Sequence, residues 1–493
     1  MNRLDKIEAL IRSEIDKHNT ESLGGEPISM KEVVRHLTRT NIVLRDNQTE
    51  PVRLGINYFK AEPDGKTFRP ALIVAPTAFG KSILIAKIVE GVDDKILILQ
   101  PNKELLEQNF LKYSKFGNNA GIYSSSFNSK QIYDVTYATI GSIHKQGAAF
   151  KAMGFTKIII DECHLYSRKI GGMTGRFLKD SEITHVLGLT ATPMQLQQLA
   201  EPSGATSSCL QMLTNRASGI HFFRDILHVT QIEDLVKNGY WTPLEYETQD
   251  VDLSLLKYTR TKDDYTDLSI NIVYRVNDTC RKIVRKLAEI PDRKSIVVFV
   301  HSVEAARELE RTVGRETSAA IYGSMPDAER TKAVSDFRNG KIRVVFNVNV
   351  LSHGFDYAGI DCIITARATA SFSLYYQQLG RGVRISDYKK NCLIIDFSGN
   401  VKKFGRIEDL VFKKDEDGRW ELYNAGKRLT GIPLHKVGAI IITDKIMPIG
   451  KYAGTQIKDL PEKYTKKMME TFKWTKETLW IREEIIAISQ EFD

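Results

Sequence analysis

The length, composition and charge of the chain exclude several classes of protein. At about 100–200 residues per domain, 493 residues allow two to four domains. The hydrophobic share of 42%, the charged share of 27%, and the 33 Gly and 14 Pro are typical of globular proteins and exclude collagen-like, mucin-like and largely disordered chains. The net charge of +9 is compatible with a polyanionic partner, but a charge of this size is also common in proteins that bind no nucleic acid.

The cysteines and the N-terminus indicate the compartment. The five cysteines are odd in number, widely separated and without the spacing of zinc ligands, which favours a reducing environment. The N-terminal segment MNRLDKIEALIRSEID carries a charge every few residues, and no apolar run approaches the roughly 18–20 residues of a membrane span. We therefore expect a soluble cytoplasmic protein without a membrane partner.

Residues 1–40 have the pattern of a small helical region. Ile7, Leu10, Ile11 and Ile15 follow helical spacing, and a second helical stretch, MKEVVRHL, comes after a Gly-Gly break.

Residues 41–230 alternate short apolar runs with amphipathic stretches. The apolar runs are ALIV, KILILQ, VTYAT, KIIID and HVLGLT. Short apolar runs separated by helical patterns predict buried parallel strands with crossover helices, hence a doubly wound domain. Residues 195–220 are polar and rich in small side chains, so we expect loops and short helices there.

Residues 231–400 hold a second series of the same kind. After a charged helical stretch come the runs SIVVFV, AAIYG, IRVVFNVNV, CIITAR and CLIIDF. The sequence therefore predicts an α/β protein with two tandem, doubly wound parallel-sheet domains and a cleft between them. Residues 401–493 lose this regularity. We expect a basic C-terminal appendage, because positions 401–480 hold seventeen Lys and Arg against eleven Asp and Glu.

A phosphate-binding pattern follows the first apolar run. Residues 75–82, APTAFGKS, match A/G-x-x-x-x-G-K-S/T between a strand and a helix. In such a loop the backbone N–H groups face the phosphates, Lys81 neutralises the β and γ oxygens, and the Ser82 hydroxyl binds Mg²⁺. The residues predicted to bind ATP here are Pro76, Thr77, Ala78, Phe79, Gly80, Lys81 and Ser82.

Two adjacent carboxylates end the run KIIID about eighty residues downstream. We expect Asp161 to hold Mg²⁺ and Glu162 to polarise the attacking water. A strand that simply ends in solvated charges gives the same pattern, although rarely beside a phosphate loop.

Further segments occur in a fixed order around these two motifs. They are LRDNQ (44–48), LQPNKEL (99–105), LGLTATP (187–193), NVLSHGFD (349–356) and QQLGRGVR (377–384). Together with APTAFGKS and DECH (161–164), they resemble the superfamily 2 DExH-box helicases over residues 41–400. The resemblance implies two RecA-like domains, an ATP-binding one in residues 41–230 and a second in residues 231–400.

The same resemblance implies roles in nucleotide chemistry. Gln48 would read the adenine edge, and Arg384 would act as an arginine finger, which is commonly worth ~10³–10⁵ in rate. Arg381 and Gln377 would contact the γ-phosphate and position water. The other implied nucleotide-binding residues are Arg45, Gly354 and Asp356.

Coupling residues and one departure also follow from the resemblance. Thr190 and Thr192 would couple hydrolysis to strand movement. His164 would link the nucleotide site to these threonines rather than bind a metal, since no second His or Cys lies at ligand spacing. Ala78 stands where the family usually has glycine, so a positive φ at this position would strain the loop.

Contacts to a nucleic-acid strand are implied for Lys103, Thr139, His301 and Ser302. Ordinary capping at strand ends explains the hydroxyl residues equally well. Four aromatic residues are candidates either for stacking on bases or for core packing: Trp241, Phe372, Tyr375 and Tyr376. The segment 447–454, followed by Lys463, Lys466, Lys467 and Trp474, would suit a duplex- or junction-binding surface or a stability appendage.

We expect an ATP- and Mg²⁺-dependent DNA helicase or translocase that acts on single strands, forks or junctions in a bacterial or phage-infected cell. The form of LGLTATP favours DNA-acting relatives over RNA helicases. Three alternatives stay open: a translocase subunit of a restriction or nuclease complex, an RNA helicase, and a nucleotide-gated clamp without turnover. A nuclease or a replication or repair protein is an expected partner.

Overall fold

The structure is a computed structural model that describes residues 43–62, 69–166, 172–200, 206–214, 222–260, 263–350, 357–434, 436–437, 457, 460–472, 474, 481–482 and 485–486. The predicted helical region 1–40, Gly354, Asp356 and the segment 447–454 lie outside these residues.

The secondary structure of the described residues alternates strands and helices. The helices are α1 (Asp46–Lys60), α2 (Lys81–Glu90), α3 (Lys103–Lys115), α4 (Ile140–Ile143), α5 (Gly147–Ala152), α6 (Met173–Ser181), α7 (Ile232–Lys237), α8 (Asp267–Val276), α9 (Thr279–Glu289), α10 (Val303–Val313), α11 (Asp327–Arg338), α12 (Phe372–Leu379), α13 (Asn400–Phe404) and α14 (Glu462–Thr471). The strands are β1 (Ala71–Val74), β2 (Ile96–Gln100), β3 (Gly121–Ser124), β4 (Ser129–Lys130), β5 (Val135–Thr139), β6 (Lys157–Asp161), β7 (His185–Thr190), β8 (Met194–Ala200), β9 (Thr206–Met212), β10 (Asp225–Val229), β11 (Leu244–Thr248), β12 (Ile296–Phe299), β13 (Ser318–Tyr322), β14 (Val344–Val348), β15 (Cys362–Thr365), β16 (Cys392–Asp396), β17 (Leu410–Lys414), β18 (Trp420–Asn424) and β19 (Lys427–Arg428).

The described residues form two compact units. The first unit comprises the described residues up to Met194 and those of Leu213–Thr230. The second comprises those of Gln195–Met212 and those from Gln231 onward. The boundaries predicted for the domains and the appendages stay predictions.

An eight-stranded sheet forms the centre of the first unit, in the order β10-β1-β7-β6-β2-β5-β3-β4. Its neighbouring strands are parallel except for β3 and β4. Strands β1, β2, β6 and β7 are buried at every position, which explains their continuous apolar sequences. Because β1, β7 and β6 are neighbours, the carboxyl ends of these strands bring Ala75, Thr190 and Asp161 to one edge of the sheet.

Aromatic side chains fill part of the core of the first unit. The ring centroid of Phe150 lies 5.1 Å from that of Phe155 and 5.7 Å from that of Phe177, both edge-to-face. All three side chains are fully buried. Burial of each one stabilises the unit by about 1.5–3 kcal/mol.

A six-stranded parallel sheet forms the centre of the second unit, in the order β11-β16-β15-β12-β14-β13. The prediction of two parallel-sheet α/β domains is thereby confirmed. Beyond this sheet, β17, β18 and β19 form an antiparallel sheet within the predicted C-terminal appendage. Helix α14 packs Met468 against Ile457, Leu460, Ile481 and Ile485.

One prediction of local structure is wrong. Residues 195–220 were expected to be loops and short helices, but β8 and β9 form a two-stranded sheet within them. The period-two alternation of Met194 and Leu196 with glutamines is the signal for a strand there. The candidates for base stacking are all buried, at 3% exposure or less: Trp241, Phe372, Tyr375 and Tyr376. Core packing, the alternative interpretation of these four residues, is therefore confirmed.

No helix among the described residues is both long and apolar enough to cross a membrane.

Candidate functional site

The phosphate-loop sequence connects β1 to α2. Gly80 precedes α2 with a φ of 98°, and the backbone N–H groups of Ile83 and Leu84 donate to its carbonyl. A Cβ at position 80 would lie 2.7 Å from Nε2 of Gln48. Both the backbone angle and the available space therefore require glycine here.

Ala78 adopts a φ of 63°, the left-handed conformation in which an alanine is strained. A residue with a Cβ costs about 1–2 kcal/mol in this conformation relative to the right-handed one. The sequence predicts strain if φ at this position is positive, and that condition is met. The loop therefore keeps its shape at this cost in free energy.

Gln48 joins the start of α1 to the phosphate loop. Its Oε1 accepts a hydrogen bond from the backbone N–H of Arg45 at 3.0 Å, and its Nε2 donates to the Phe79 carbonyl at 2.6 Å. The side chain is 1% exposed. Each end of the amide has further hydrogen-bonding capacity, so the role of Gln48 and Arg45 in adenine binding stays a prediction.

Lys81 and Glu162 form an ion pair at this edge of the sheet. Lys81 Nζ lies 2.6 Å from Glu162 Oε1, and both side chains are about 15% exposed. Glu162 has a φ of 45° where the chain leaves β6, which turns its side chain toward the start of α2. An ammonium has three donors, so Lys81 can hold this carboxylate and a phosphate oxygen at the same time.

Asn109 connects the two predicted Mg²⁺ ligands. The Ser82 hydroxyl donates to Asn109 Oδ1 at 2.6 Å, and Asn109 Nδ2 donates to Asp161 Oδ2 at 3.0 Å and to Gln100 Oε1 at 3.1 Å. Sequence reasoning missed this residue. The available signal was an asparagine on the apolar face of α3, in register with the buried Leu106 and Tyr113.

The donor set suits Mg²⁺ bound together with nucleotide phosphates. Ser82 and Asp161 offer hard oxygen ligands, and Asn109 orients both of them. Burial, together with the charge of Glu162, raises the pKa of Asp161 to about 6, against the opposing effect of Lys81. The described residues contain no cluster of three His, Cys, Asp or Glu side chains that could hold a metal, but Mg²⁺ between a carboxylate, a hydroxyl and phosphates needs none.

His164 reaches from the carboxylate pair to the end of β7. Its Nδ1 lies 2.8 Å from Thr190 Oγ1 and 3.5 Å from Glu162 Oε2. Thr190 Oγ1 also accepts from the backbone N–H of Thr192 at 3.0 Å. The structure thus brings together the three predicted coupling residues, all of them buried, and their role in coupling stays a prediction.

In the second unit, α12 and the residues after it carry three predicted catalytic side chains. Gln377 lies in the last turn of α12 and Arg381 follows the helix, and both are buried. Arg384 is half-buried. Their roles at the γ-phosphate stay predictions.

The predicted strand-binding residues of the first unit lie after neighbouring strands. Lys103 begins α3 after β2, and its Nζ lies 5.4 Å from the centroid of the Phe127 ring. Thr139 ends β5, with its hydroxyl 3.0 Å from that of Ser142 and 3.5 Å from that of Ser124. Since β2 and β5 are adjacent, these groups share the edge of the sheet.

The corresponding residues of the second unit have structural partners. Ser302 caps α10, because its hydroxyl oxygen accepts from the backbone N–H of Ala305 at 3.1 Å. His301 is buried, with Nε2 3.3 Å from Asn271 Oδ1, and burial beside Arg367 lowers its pKa to about 4. Both residues stay candidates for contacts to nucleic acid, with capping as the established role of Ser302.

Two family models match the chain. Residues 41–195 match "Type III restriction enzyme, res subunit", and residues 278–386 match "Helicase conserved C-terminal domain". The first match contains the phosphate loop and the DECH sequence, and the second contains the QQLGRGVR segment.

Two curated relatives match long stretches of the chain. A 51.5 kDa protein of Lactococcus phage (isolate 7-9) is 26% identical over 336 residues, which cover 66% of this chain and 65% of that protein. The mitochondrial ATP-dependent helicase irc3 of Schizosaccharomyces pombe is 27% identical over 414 residues, which cover 80% of this chain and 64% of that protein. The chain thus spans slightly less than two thirds of the length of these relatives.

Two solved structures have the same fold. A fragment of an HsdR subunit of a type I restriction enzyme from Vibrio vulnificus matches with a TM-score of 0.54 at 18% identity, over 82% of this chain and 73% of that one. The ATP-dependent Type ISP restriction-modification enzyme LlaBIII, bound to DNA, matches with a TM-score of 0.52 at 17% identity, over 72% of this chain and 28% of that one.

Proposed function

Because the chain belongs to the superfamily 2 helicases, we propose that it hydrolyses ATP to move along or remodel DNA. The observation that carries this proposal is the arrangement at the edge of the first sheet. Lys81 and Glu162 are 2.6 Å apart beside the buried Asp161, and Asn109 connects Asp161 to Ser82. A motor needs these groups for turnover, whereas a passive clamp needs only the phosphate-binding part.

In hydrolysis, each side chain has one task. Lys81 neutralises the β and γ oxygens, and Glu162 accepts the proton of the attacking water. Ser82 and Asp161 would hold Mg²⁺, which would supply positive charge to stabilise the transferred phosphoryl group. Arg384 stabilises the charge on the equatorial oxygens, with Arg381 and Gln377 beside the γ-phosphate.

We further propose that His164 transmits the state of the nucleotide site to the LGLTATP segment. Its imidazole lies within 3.5 Å of both Glu162 and Thr190. A change in the hydrogen bonding of Glu162 on hydrolysis would alter the His164–Thr190 contact, and through Thr190 the backbone N–H of Thr192. Movement on a strand would follow from this link and from Lys103 and Thr139.

DNA is the proposed substrate, with single strands, forks and four-way junctions as the forms to compare. The form of LGLTATP and the likeness in fold to a restriction enzyme bound to DNA support it. RNA is the alternative substrate. The cytoplasmic location also stays a prediction, since one relative is a mitochondrial protein.

A second candidate function is that of a translocase subunit in a restriction or nuclease complex. The match to a type III restriction subunit and the fold of an HsdR subunit favour it. In that case we expect a nuclease among the partners of the chain. Purification of the native complex, followed by an assay for ATP-dependent DNA cleavage, separates this function from that of a free-standing helicase.

The test of the main proposal is steady-state ATP hydrolysis with and without nucleic acid, followed by strand separation on each DNA and RNA form. We expect stimulation by DNA and loss of turnover in Glu162→Gln and Arg384→Ala. Equal turnover with and without DNA or RNA would contradict a motor, and binding without turnover would identify a clamp.

A further inference from the structure

The segment that carries Arg384 is held by three consecutive backbone carbonyls. The Gly382 carbonyl accepts a hydrogen bond from Lys389 Nζ at 2.7 Å. The Val383 carbonyl accepts from the backbone N–H of Thr242 at 2.8 Å, and the Arg384 carbonyl accepts from the Thr242 hydroxyl at 2.7 Å. Two residues outside the QQLGRGVR sequence therefore fix all three peptide groups of this segment.

Packing prevents the segment from shifting toward the sheet. The Val383 side chain is fully buried. A Cβ on Gly382 would lie 2.6 Å from Cys392 Sγ, so the backbone lies against β16 as closely as glycine permits. Because the segment cannot move toward β16, the hydrogen bonds to the carbonyls of Gly382, Val383 and Arg384 determine where the backbone of Arg384 lies.

Thr242 is suited to this task by its own attachment. It is 5% exposed, and the following Pro243 accepts a hydrogen bond from the backbone N–H of Cys392 at 2.9 Å, which joins the approach to β11 to β16. Any residue except proline can supply the N–H that holds Val383. The bond to the Arg384 carbonyl needs a side-chain donor in addition, which the hydroxyl of Thr242 supplies.

We propose that Thr242 is a positioning residue for Arg384. Its hydrogen bond fixes the Arg384 carbonyl and thereby the position from which the Arg384 side chain extends. The inference rests on the proposed function, since it assumes that Arg384 acts in ATP hydrolysis. A displacement of about 1 Å in a group that acts on the transition state can cost ~10²-fold in rate. Loss of one hydrogen bond that fixes such a group is expected to cost roughly ten-fold.

The experiment compares Thr242→Val with Thr242→Ser in the full chain. Valine keeps the shape and the backbone N–H but lacks the hydroxyl, whereas serine keeps the hydroxyl. We expect Thr242→Val to lower kcat for DNA-stimulated ATP hydrolysis roughly ten-fold with KM for ATP within about two-fold, and Thr242→Ser to retain wild-type kcat. Thr242→Ala replaces the valine variant if that one fails to fold.

Binding of two nucleotide probes separates positioning from stability. Affinity for Mg·ADP reports the ground state, and affinity for Mg·ADP with aluminium fluoride reports the transition state. Thr242→Val should weaken only the second, and it should have no further effect in an Arg384→Ala background. Ser318→Ala is the matched control: it removes a buried hydroxyl that donates to the Gly314 carbonyl at 2.8 Å, on the opposite edge strand of the same sheet.

The outcomes distinguish a failure of the proposed role of Arg384 from a failure of the proposed role of Thr242. If Arg384→Ala leaves the affinity for the aluminium fluoride complex unchanged, the proposed role of Arg384 is wrong and the inference falls with it. If Arg384→Ala weakens that affinity while Thr242→Val matches the wild type, only the inference is overturned. An equal loss from Thr242→Val with and without Arg384 would show a general structural effect and would likewise overturn it.

Discussion

The two regions that carry predicted catalytic residues are built in different ways. At the edge of the first sheet, side chains hold one another: Lys81 pairs with Glu162, and Asn109 connects Ser82 to Asp161. After α12 in the second unit, Thr242 and Lys389 hold the segment that carries Arg384 by donating hydrogen bonds to its backbone carbonyls. Two sequence motifs, APTAFGKS and DECH, contain most of the first network, whereas Thr242 and Lys389, which support the second region, lie outside its motif.

This difference predicts how each region responds to substitution. Removal of a charged group at the first sheet should abolish the chemistry itself, because Lys81, Asp161 and Glu162 are proposed to act directly on phosphate, metal and water. Substitution of Thr242 or Lys389 in the second unit should displace Arg384 but leave its side chain intact. The first kind of variant should abolish turnover, and the second should lower it by a limited factor.

The largest effect is expected for Glu162→Gln. The amide keeps the size of the side chain but cannot accept a proton from water, so kcat should fall by at least ~10³-fold while ATP still binds. Steady-state hydrolysis and equilibrium binding of ATP measure the two quantities. Glu90→Gln is the control, since Glu90 lies at the other end of α2 and pairs with Lys87. Retention of turnover in Glu162→Gln would remove this residue from the mechanism.

Asn109→Leu should weaken Mg²⁺ binding. Loss of the amide releases Ser82 and Asp161 from each other, and substitutions of residues that orient metal ligands typically cost 10–100-fold in metal affinity. The measurement is direct binding of Mn²⁺ in the presence of ADP, followed by its electron spin resonance signal.

Asn118→Leu provides the control for that measurement, because Asn118 donates to Glu90 at the surface, at 3.0 Å, and contacts neither Ser82 nor Asp161 among the described residues. Equal Mn²⁺ affinities for Asn109→Leu and Asn118→Leu would contradict the role of Asn109.

In the second region, the contribution of Lys389 to the free energy of unfolding should depend on pH. Burial lowers the pKa of Lys389 to about 8 from its usual 10.5, with Arg384 adding to the effect and Cys392 and Asp361 opposing it. Between these values the unfolded chain binds the proton more tightly than the folded chain, so stability contributed by Lys389 rises with pH. Relative to Lys389→Met, the wild type should gain up to about 3 kcal/mol between pH 8 and pH 10.5.

Thermal unfolding of both proteins across this pH range provides the measurement. The thiol of Cys392 has its pKa raised to about 12 by burial in the folded chain, so it ionises in this range only in the unfolded chain. Both proteins contain Cys392, so this contribution cancels to first order in the difference between them. A difference in stability that is constant from pH 7 to pH 10 would contradict the buried position of the Lys389 ammonium.

The smallest effect is expected for Ala78→Gly. Glycine relieves the strain of the positive φ, worth about 1–2 kcal/mol, but it adds about 0.4–1 kcal/mol of conformational entropy to the unfolded chain. The unfolding midpoint should therefore rise by a few degrees at most, with kcat unchanged. A lower midpoint would show that the loop holds alanine without strain.

Much of the fold and part of the site could be predicted from the sequence. The strand runs ending at Val74, Asp161 and Thr190 are apolar and end in polar motifs, so their place in a parallel sheet follows from periodicity and burial. The conditional prediction of strain at Ala78 also followed from the sequence alone.

Other features depend on contacts between residues distant in sequence. Asn109 and Thr242 are single polar residues within otherwise ordinary segments, and each acquires its partners only when the chain folds. The aromatic residues of α12 could be assigned to the core only once their inward orientation was known. The strands β8 and β9 carried a period-two pattern that polar composition obscured.

The most direct test of the central claim is the rate of ATP hydrolysis by the purified chain as DNA is titrated into it, with Lys81→Ala as the control. We predict a rate that rises steeply with DNA and saturates, and no hydrolysis above background for Lys81→Ala at any DNA concentration. A rate that is the same with and without DNA and RNA, or that persists in Lys81→Ala, would contradict an ATP-driven motor.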